Sequence, residues 1–321
     1  MEPGRFFASS TVLVVAGKGG VGKTVTAATL AVAAARTGLD VLFVEVAGRS
    51  ASAPYFGVDE ITYRERVVQR AGSDRGEIRA RSLTPDDALV EWLADHGFGR
   101  LARRMARTGI LEIVATATPG IKDLLVLGKV KQLAGPDGTD ADLVVVDAPA
   151  AGHALSFLRA PAQLARTATS GTIHRQAVEA LELLTDPRRT RVTLVTIPEE
   201  TPVNELVETA FALEETVGVA LTPVVVNAVA PPADELSTDP AADPASAAVD
   251  ETVVDDLATV AAFRRRRRAL HEGQLRRLAD RLPLEQILLP AVPGAAVDPT
   301  AVEALADVVL AGVAALPDHA T

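Results

Sequence analysis

Cysteine is absent from the 321 residues. Without it the chain has no disulfide, no thiolate metal site and no zinc centre of the C-x-x-C type. Also missing is any apolar run approaching the roughly 18 residues needed to span a bilayer. The first residues show no basic segment followed by an apolar core. Thr11 to Ala16 is too short for one and reads as a strand, so a cytoplasmic protein is expected. Positive charge is in deficit as well. Lys plus Arg number 32 against 42 Asp plus Glu, a net charge of −10, which argues against sequence-independent nucleic-acid binding over the whole surface. Apolar residues are plentiful at 48%, enough for a substantial core in one large α/β domain or two small ones.

Against this background one stretch stands out, Gly17-Lys18-Gly19-Gly20-Val21-Gly22-Lys23-Thr24. It follows the β-branched run Thr11 to Val15 and precedes an Ala-rich segment from Val25 to Arg36. A strand, a glycine loop and a helix start are the context that makes G-x-x-x-x-G-K-S/T a phosphate-binding P-loop. Glycines let backbone N–H groups curl around phosphate oxygens, and the helix opening near Gly22 points its positive end at the same anion. Lys23 would reach the β- and γ-phosphates of ATP, and the Thr24 hydroxyl would hold Mg²⁺.

The rest of the chain reads as an α/β alternation around that loop. The helix from about Gly22 to Thr37 stops at Gly38, and a strand at 40–46 implies a right-handed crossover and a parallel sheet buried on both faces. Residues 59–81 read as loop ending in a short strand, 76–81. Residues 85–134 carry helical spacing and predict a helical subdomain set on the sheet. Strands are expected at 143–147, 190–197, 221–228 and 286–289, with helices filling 153–186, 201–217, 252–282 and 300–315. The prediction is a single domain over 1–321: a P-loop α/β fold, doubly wound and mostly parallel, with seven or eight strands. Residues 231–256, rich in Pro, Ala and Asp, predict a flexible acidic insertion. Arg264 to Arg268 has two readings, an anion-binding patch or a solvated helix face pairing with that insertion. With only Phe263 as an aromatic neighbour, the solvated face is favoured.

Asp147 ends the Val-rich strand at the edge where open parallel sheets bind ligands, the place for a Walker B acid holding Mg²⁺ or its water.

These residues resemble a known family. Lys18 is the extra lysine of the deviant Walker A motif, shared by the MinD/ParA ATPases, nitrogenase iron protein, the arsenite-pump ATPase and the tail-anchored-protein targeting ATPase. Asp147 to Leu155 resembles the D-T-A-P-T-G-H-T-L switch II of the last two. Further likenesses lie at Thr118 to Asp123, at Pro198 to Glu205, at Val224 to Asn227 and at Ile287 to Pro290 with Gly294. The resemblance implies an ATPase that dimerises on nucleotide, with Lys18 reaching the partner's ATP, Gly152 offering its N–H to the γ-phosphate, and His153 coupling nucleotide state to helix movement. It also implies that Asn227 reads the adenine edge and that the loop at Pro290 closes over the base.

Three departures narrow the expectation. Cysteine-bound metalloid is disfavoured because the chain has no cysteine, and a methionine-rich groove is disfavoured because Met1 and Met105 are the only methionines. Where the family's switch I has the Asp that positions water, alignment puts Ala47, with Glu45 two residues earlier as a substitute acid. The pattern Val44-Glu45-Val46-Ala47-Gly48-Arg49 looks most like one member of the paired bacterial anion-transporting ATPases, which have two dissimilar subunits. The expected activity is Mg-ATP hydrolysis by a homo- or heterodimer with a paralogous ATPase subunit, moving a helical surface that binds an unknown client protein or membrane component. No nucleic acid and no zinc are expected. The alternative is a weakly hydrolysing, nucleotide-gated subunit of a heterodimeric ATPase. A positioning ATPase ranks last, since Ala311 to Thr321 forms no basic amphipathic helix.

Overall fold

The computed structural model describes residues 1–46, 50–94, 97, 120–136, 138–149, 153–231, 250–294 and 296–318. Among these, nine strands form one sheet: β1 (Val12–Gly17), β2 (Val41–Val46), β3 (Arg66–Gln69), β4 (Ile78–Leu83), β5 (Leu143–Asp147), β6 (Thr190–Thr196), β7 (Ala220–Leu221), β8 (Val224–Val229) and β9 (Gln286–Pro290). Their order is β3-β4-β2-β5-β1-β6-β8-β9, with β7 also on β6. Every ladder is parallel except β3 on β4. This is a P-loop α/β fold. The central strands are buried along their whole length, as their unbroken Val, Leu and Phe runs require of a sheet covered on both faces.

The sheet exceeds the expected strand count because β3 and β7 are nearly silent in the sequence. β3 is four residues at the antiparallel edge, half exposed and interrupted by a bulge between Val67 and Gln69, so residues 59–81 look polar and loop-like. β7 has two residues, and the strand expected at 221–228 divides between it and β8.

Helix α1 (Pro3–Phe7) caps itself on Glu2 and buries Phe6 and Phe7, an anchor the sequence reading left out. Helix α2 (Lys23–Ala35) is buried from Val25 to Ala35. Alanine serves there because α2 packs between the sheet and α9 (Pro299–Ala315), where bulkier side chains would force the layers apart. Helices α3 (Pro85–Leu93), α4 (Ile121–Leu133), α5 (His153–Thr167), α6 (Gly171–Thr185), α7 (Glu200–Thr216) and α8 (Glu251–Arg281) complete the described set. The run 153–186 is two helices, broken at 168–170. Helices α3 and α4 are joined to β4 by a polar cluster: Lys129 pairs with Glu91 at 2.8 Å, Tyr63 donates to Glu91, and the Arg81 guanidinium lies 4.6 Å from the Tyr63 ring centre. Among the described residues no helix is long and apolar enough to cross a membrane. Most of the acidic stretch 231–256 lies outside the described residues, as does 98–119 of the stretch expected to form a helical subdomain.

Candidate functional site

The loop between β1 and α2 is shaped by close approaches at two glycines. A Cβ at Gly17 would lie 2.4 Å from the Val195 carbonyl oxygen of the neighbouring strand. Gly22 has φ +85, and a Cβ there would meet Asn227 Nδ2 at 2.1 Å. Only glycine allows the loop to press against both strands. The loop thus turns from β1 over the ends of β6 and β8 before entering α2.

Three charged side chains converge on this turn. Lys23, 6% exposed, donates through Nζ to the Lys18 carbonyl oxygen at 3.0 Å. Burial pushes its pKa down, and the nearby Asp147 charge opposes that. Asp147 stands on β5 between Val15 of β1 and Glu45 of β2. It accepts from the Thr24 side chain, and its pKa rises to about 6, chiefly through burial. Its Oδ1 is buried with no hydrogen-bond partner. An orphaned carboxylate oxygen beside a threonine hydroxyl is a hard-oxygen donor set, and it fits a divalent cation such as Mg²⁺.

Glu45 is also brought to the site, at 3% exposure, but its oxygens are engaged. Oε1 accepts from Ala51 N–H at 3.2 Å, and Oε2 accepts from Ser52 N–H at 2.9 Å and from the Ser52 hydroxyl. The side chain ties the segment after β2 to the strand end. Tyr55, on the following 3₁₀ turn (Ala53–Phe56), has its hydroxyl pKa raised by burial and by the charge of Asp147. Neither Ser52 nor Tyr55 is signalled by motif.

Asn227 Nδ2 donates to the Val21 carbonyl at 3.0 Å, so the residue assigned to adenine is bonded to the P-loop itself. Ala228 follows at φ +55, a left-handed non-glycine residue inside the bulge that separates the Val226–Leu288 and Val229–Pro290 pairings. Pro290 therefore ends β9 beside the end of β8, on the side where Asn227 meets the loop. Lys18 does not project freely: its ammonium donates to Glu205 Oε1 on α7, within the same chain. Sequence reasoning had placed Glu205 in a motif without giving it a task. Lys18, Glu205, Leu155 and Pro202 line a cavity of about 420 Å³ beside the loop. Gly19 and Gly20 complete the loop and are exposed. Ala47, Gly152 and the His153 side chain lie outside the described residues.

The sequence matches the family of anion-transporting ATPases over residues 10–179. ATPase BagA of Mycobacterium tuberculosis is 35% identical over 207 residues, 63% of this chain and 59% of that protein. A Halobacterium salinarum protein named as an arsenical pump-driving ATPase is 26% identical over 68% of this chain and 35% of its own. ATPase GET3 of Chaetomium globosum is 28% identical over 47% of this chain and 43% of its own. The chain is thus matched to about three fifths of the length of the mycobacterial relative.

Proposed function

The chain belongs to the anion-transporting ATPase family, and from that premise we propose that it binds Mg-ATP and hydrolyses it to ADP and phosphate as a nucleotide-switched dimer in the cytoplasm. The observation that carries the reading is the juxtaposition of buried Lys23, half-buried Thr24 and the orphaned Asp147 Oδ1 at a glycine loop. Lys23, desolvated by burial, gains a partner when phosphate arrives. Thr24 and Asp147 would hold Mg²⁺, which when bound supplies charge neutralisation at the phosphates. The backbone of Gly17 to Gly22 cradles the phosphate oxygens, and Asn227 and Pro290 frame the base. Lys18 leaves Glu205 and crosses to the partner's nucleotide. Hydrolysis then reopens the dimer.

The partner is a second copy or a paralogous subunit. The moving surface is supplied by the helical subdomain, where an apolar cavity of about 500 Å³ lies between Leu89 and Trp92 of α3, Leu124 and Leu125 of α4, and Ile173 of α6. A groove of that size and character suits an apolar segment of a client.

A second reading, a gated subunit with little turnover of its own, is favoured by one observation. Both oxygens of Glu45 are occupied by the Ala51–Ser52 backbone and the Ser52 hydroxyl, which leaves it poorly placed to orient water. Particle mass by light scattering, with and without a slowly hydrolysed ATP analogue and a co-expressed paralogue, tests the switched dimer. We expect the analogue to double whatever mass is found without nucleotide, a step that Lys18→Ala abolishes. A monomer under every condition would overturn the reading.

A further inference from the structure

Helix α8 is anchored from Ala261 onward, whereas from Thr252 to Val260 it is exposed on nearly every side. Ala230, just past β8, donates its N–H to His271 Nδ1 at 3.0 Å and accepts through its carbonyl from Arg268. Arg277 reaches Asn204 of α7 at 2.8 Å. Along this stretch Val253, Leu257, Val260, Phe263 and Leu270 are 46%, 52%, 50%, 63% and 64% exposed, and Asp256 and Arg267 are exposed among them. Their order is informative. Val253, Val260 and Arg267 recur at seven residues, as do Asp256, Phe263 and Leu270, and the two series alternate at steps of three and four. That is the spacing of a coiled-coil seam over residues 253–270, and it ends where Arg277, the next residue of the second series, bonds Asn204 of α7.

We infer that this seam pairs antiparallel with the same helix of a second copy. With the two-fold axis between residues 261 and 262, Val253 faces Leu270, Asp256 faces Arg267, and Val260 faces Phe263, and each pairing occurs again with the copies exchanged. A symmetric interface must be self-complementary, and this one matches apolar to apolar and acid to base in every layer. Parallel pairing would set Asp256 against Asp256 and Arg267 against Arg267, so charge selects the antiparallel register. An anionic membrane is a poorer match for the Arg run, because Asp256 lies exposed within the stripe and Asp255 beside it, and the chain carries a net charge of −10. Nucleic acid would leave the apolar residues uncovered. The contact needs neither nucleotide nor Lys18 and stands apart from the proposed ATP switch.

Sedimentation equilibrium of the full chain without nucleotide tests it. The wild type self-associates, and Lys23→Ala does so equally. Asp256→Arg alone and Arg267→Asp alone each weaken pairing by at least ten-fold. The double variant regains it, and an equimolar mixture of the two single variants regains it as a heteropair. Because the chain has no native cysteine, a spin label on Thr252→Cys reports geometry. The 19 residues separating positions 252 and 271 put the labels roughly 30 Å apart if antiparallel, whereas parallel helices would bring them to about 10 Å. A wild-type monomer at about 100 μM would overturn the inference. So would single variants that associate normally, or a stripe that instead carries binding to anionic vesicles or RNA.

Discussion

Lys18 and Glu205 form an ion pair inside one chain, joining the P-loop to helix α7. The lysine that the dimer reading sends to a partner's ATP is therefore held at home in the single chain. Both side chains are partly exposed, at 43% and 38%. Such a pair contributes no more than about 1 kcal/mol, enough to bias a switch without locking it. Glu205→Gln should lower the analogue concentration for half-maximal dimerisation by up to about five-fold, with monomer affinity for ATP little changed. Weaker closure in a scattering titration would mean that Glu205 serves the closed state instead.

Asp147 gives a prediction with a defined sign. Its carboxyl pKa stands at about 6 in the fold against an ordinary value of 3.8. Ionising it therefore costs stability, a penalty in full force above about pH 6 that fades as pH falls toward the unfolded value. Asp147→Asn should stabilise the ligand-free protein at pH 8 by on the order of 1–3 kcal/mol, and the gain should vanish near pH 4. The same variant should bind ATP with a weaker dependence on Mg²⁺, since Thr24 remains as a ligand. Thermal melts across pH, paired with binding with and without Mg²⁺, check both halves.

Gly22 and Asn227 are predicted to be coupled. Gly22→Ala places a methyl 2.1 Å from Asn227 Nδ2 at φ +85, so ATP affinity should fall at least ten-fold, with backbone strain of about 1–3 kcal/mol. Adding Asn227→Ala removes the clash but not the strain, so recovery should be partial. Asn227→Ala alone should narrow the preference for ATP over GTP, read by competition binding.

Switch I separates the two functional readings. Phosphate release by the lone wild-type chain should be slow, and Ala47→Asp should raise it by restoring a carboxylate for water. Glu45→Gln should chiefly loosen the segment that Ser52 anchors. Robust wild-type turnover that Glu45→Gln destroys and Ala47→Asp leaves unchanged would make Glu45 the catalytic acid.

The legible parts of this fold are those with a local cause. The P-loop, its strand and its buried Ala-rich helix sit together in sequence, and the Val run ending at Asp147 announces a strand buried along its length. The illegible parts depend on partners far along the chain. Asn227 bonding Val21, and Lys18 bonding Glu205, join positions that only the strand order brings together. β3 is hidden because an edge strand of four half-exposed residues need not be apolar. The seam of α8 is hidden because an arginine run masks its seven-residue spacing.

The central claim, a buried Lys23 that binds the phosphates of ATP, is tested most directly by calorimetric titration of Mg-ATP into the wild type and Lys23→Ala. The account predicts saturable binding by the wild type and a loss of at least a hundred-fold in the variant, because the phosphate charge is left uncompensated in the loop. Equal affinity for the two proteins would contradict it.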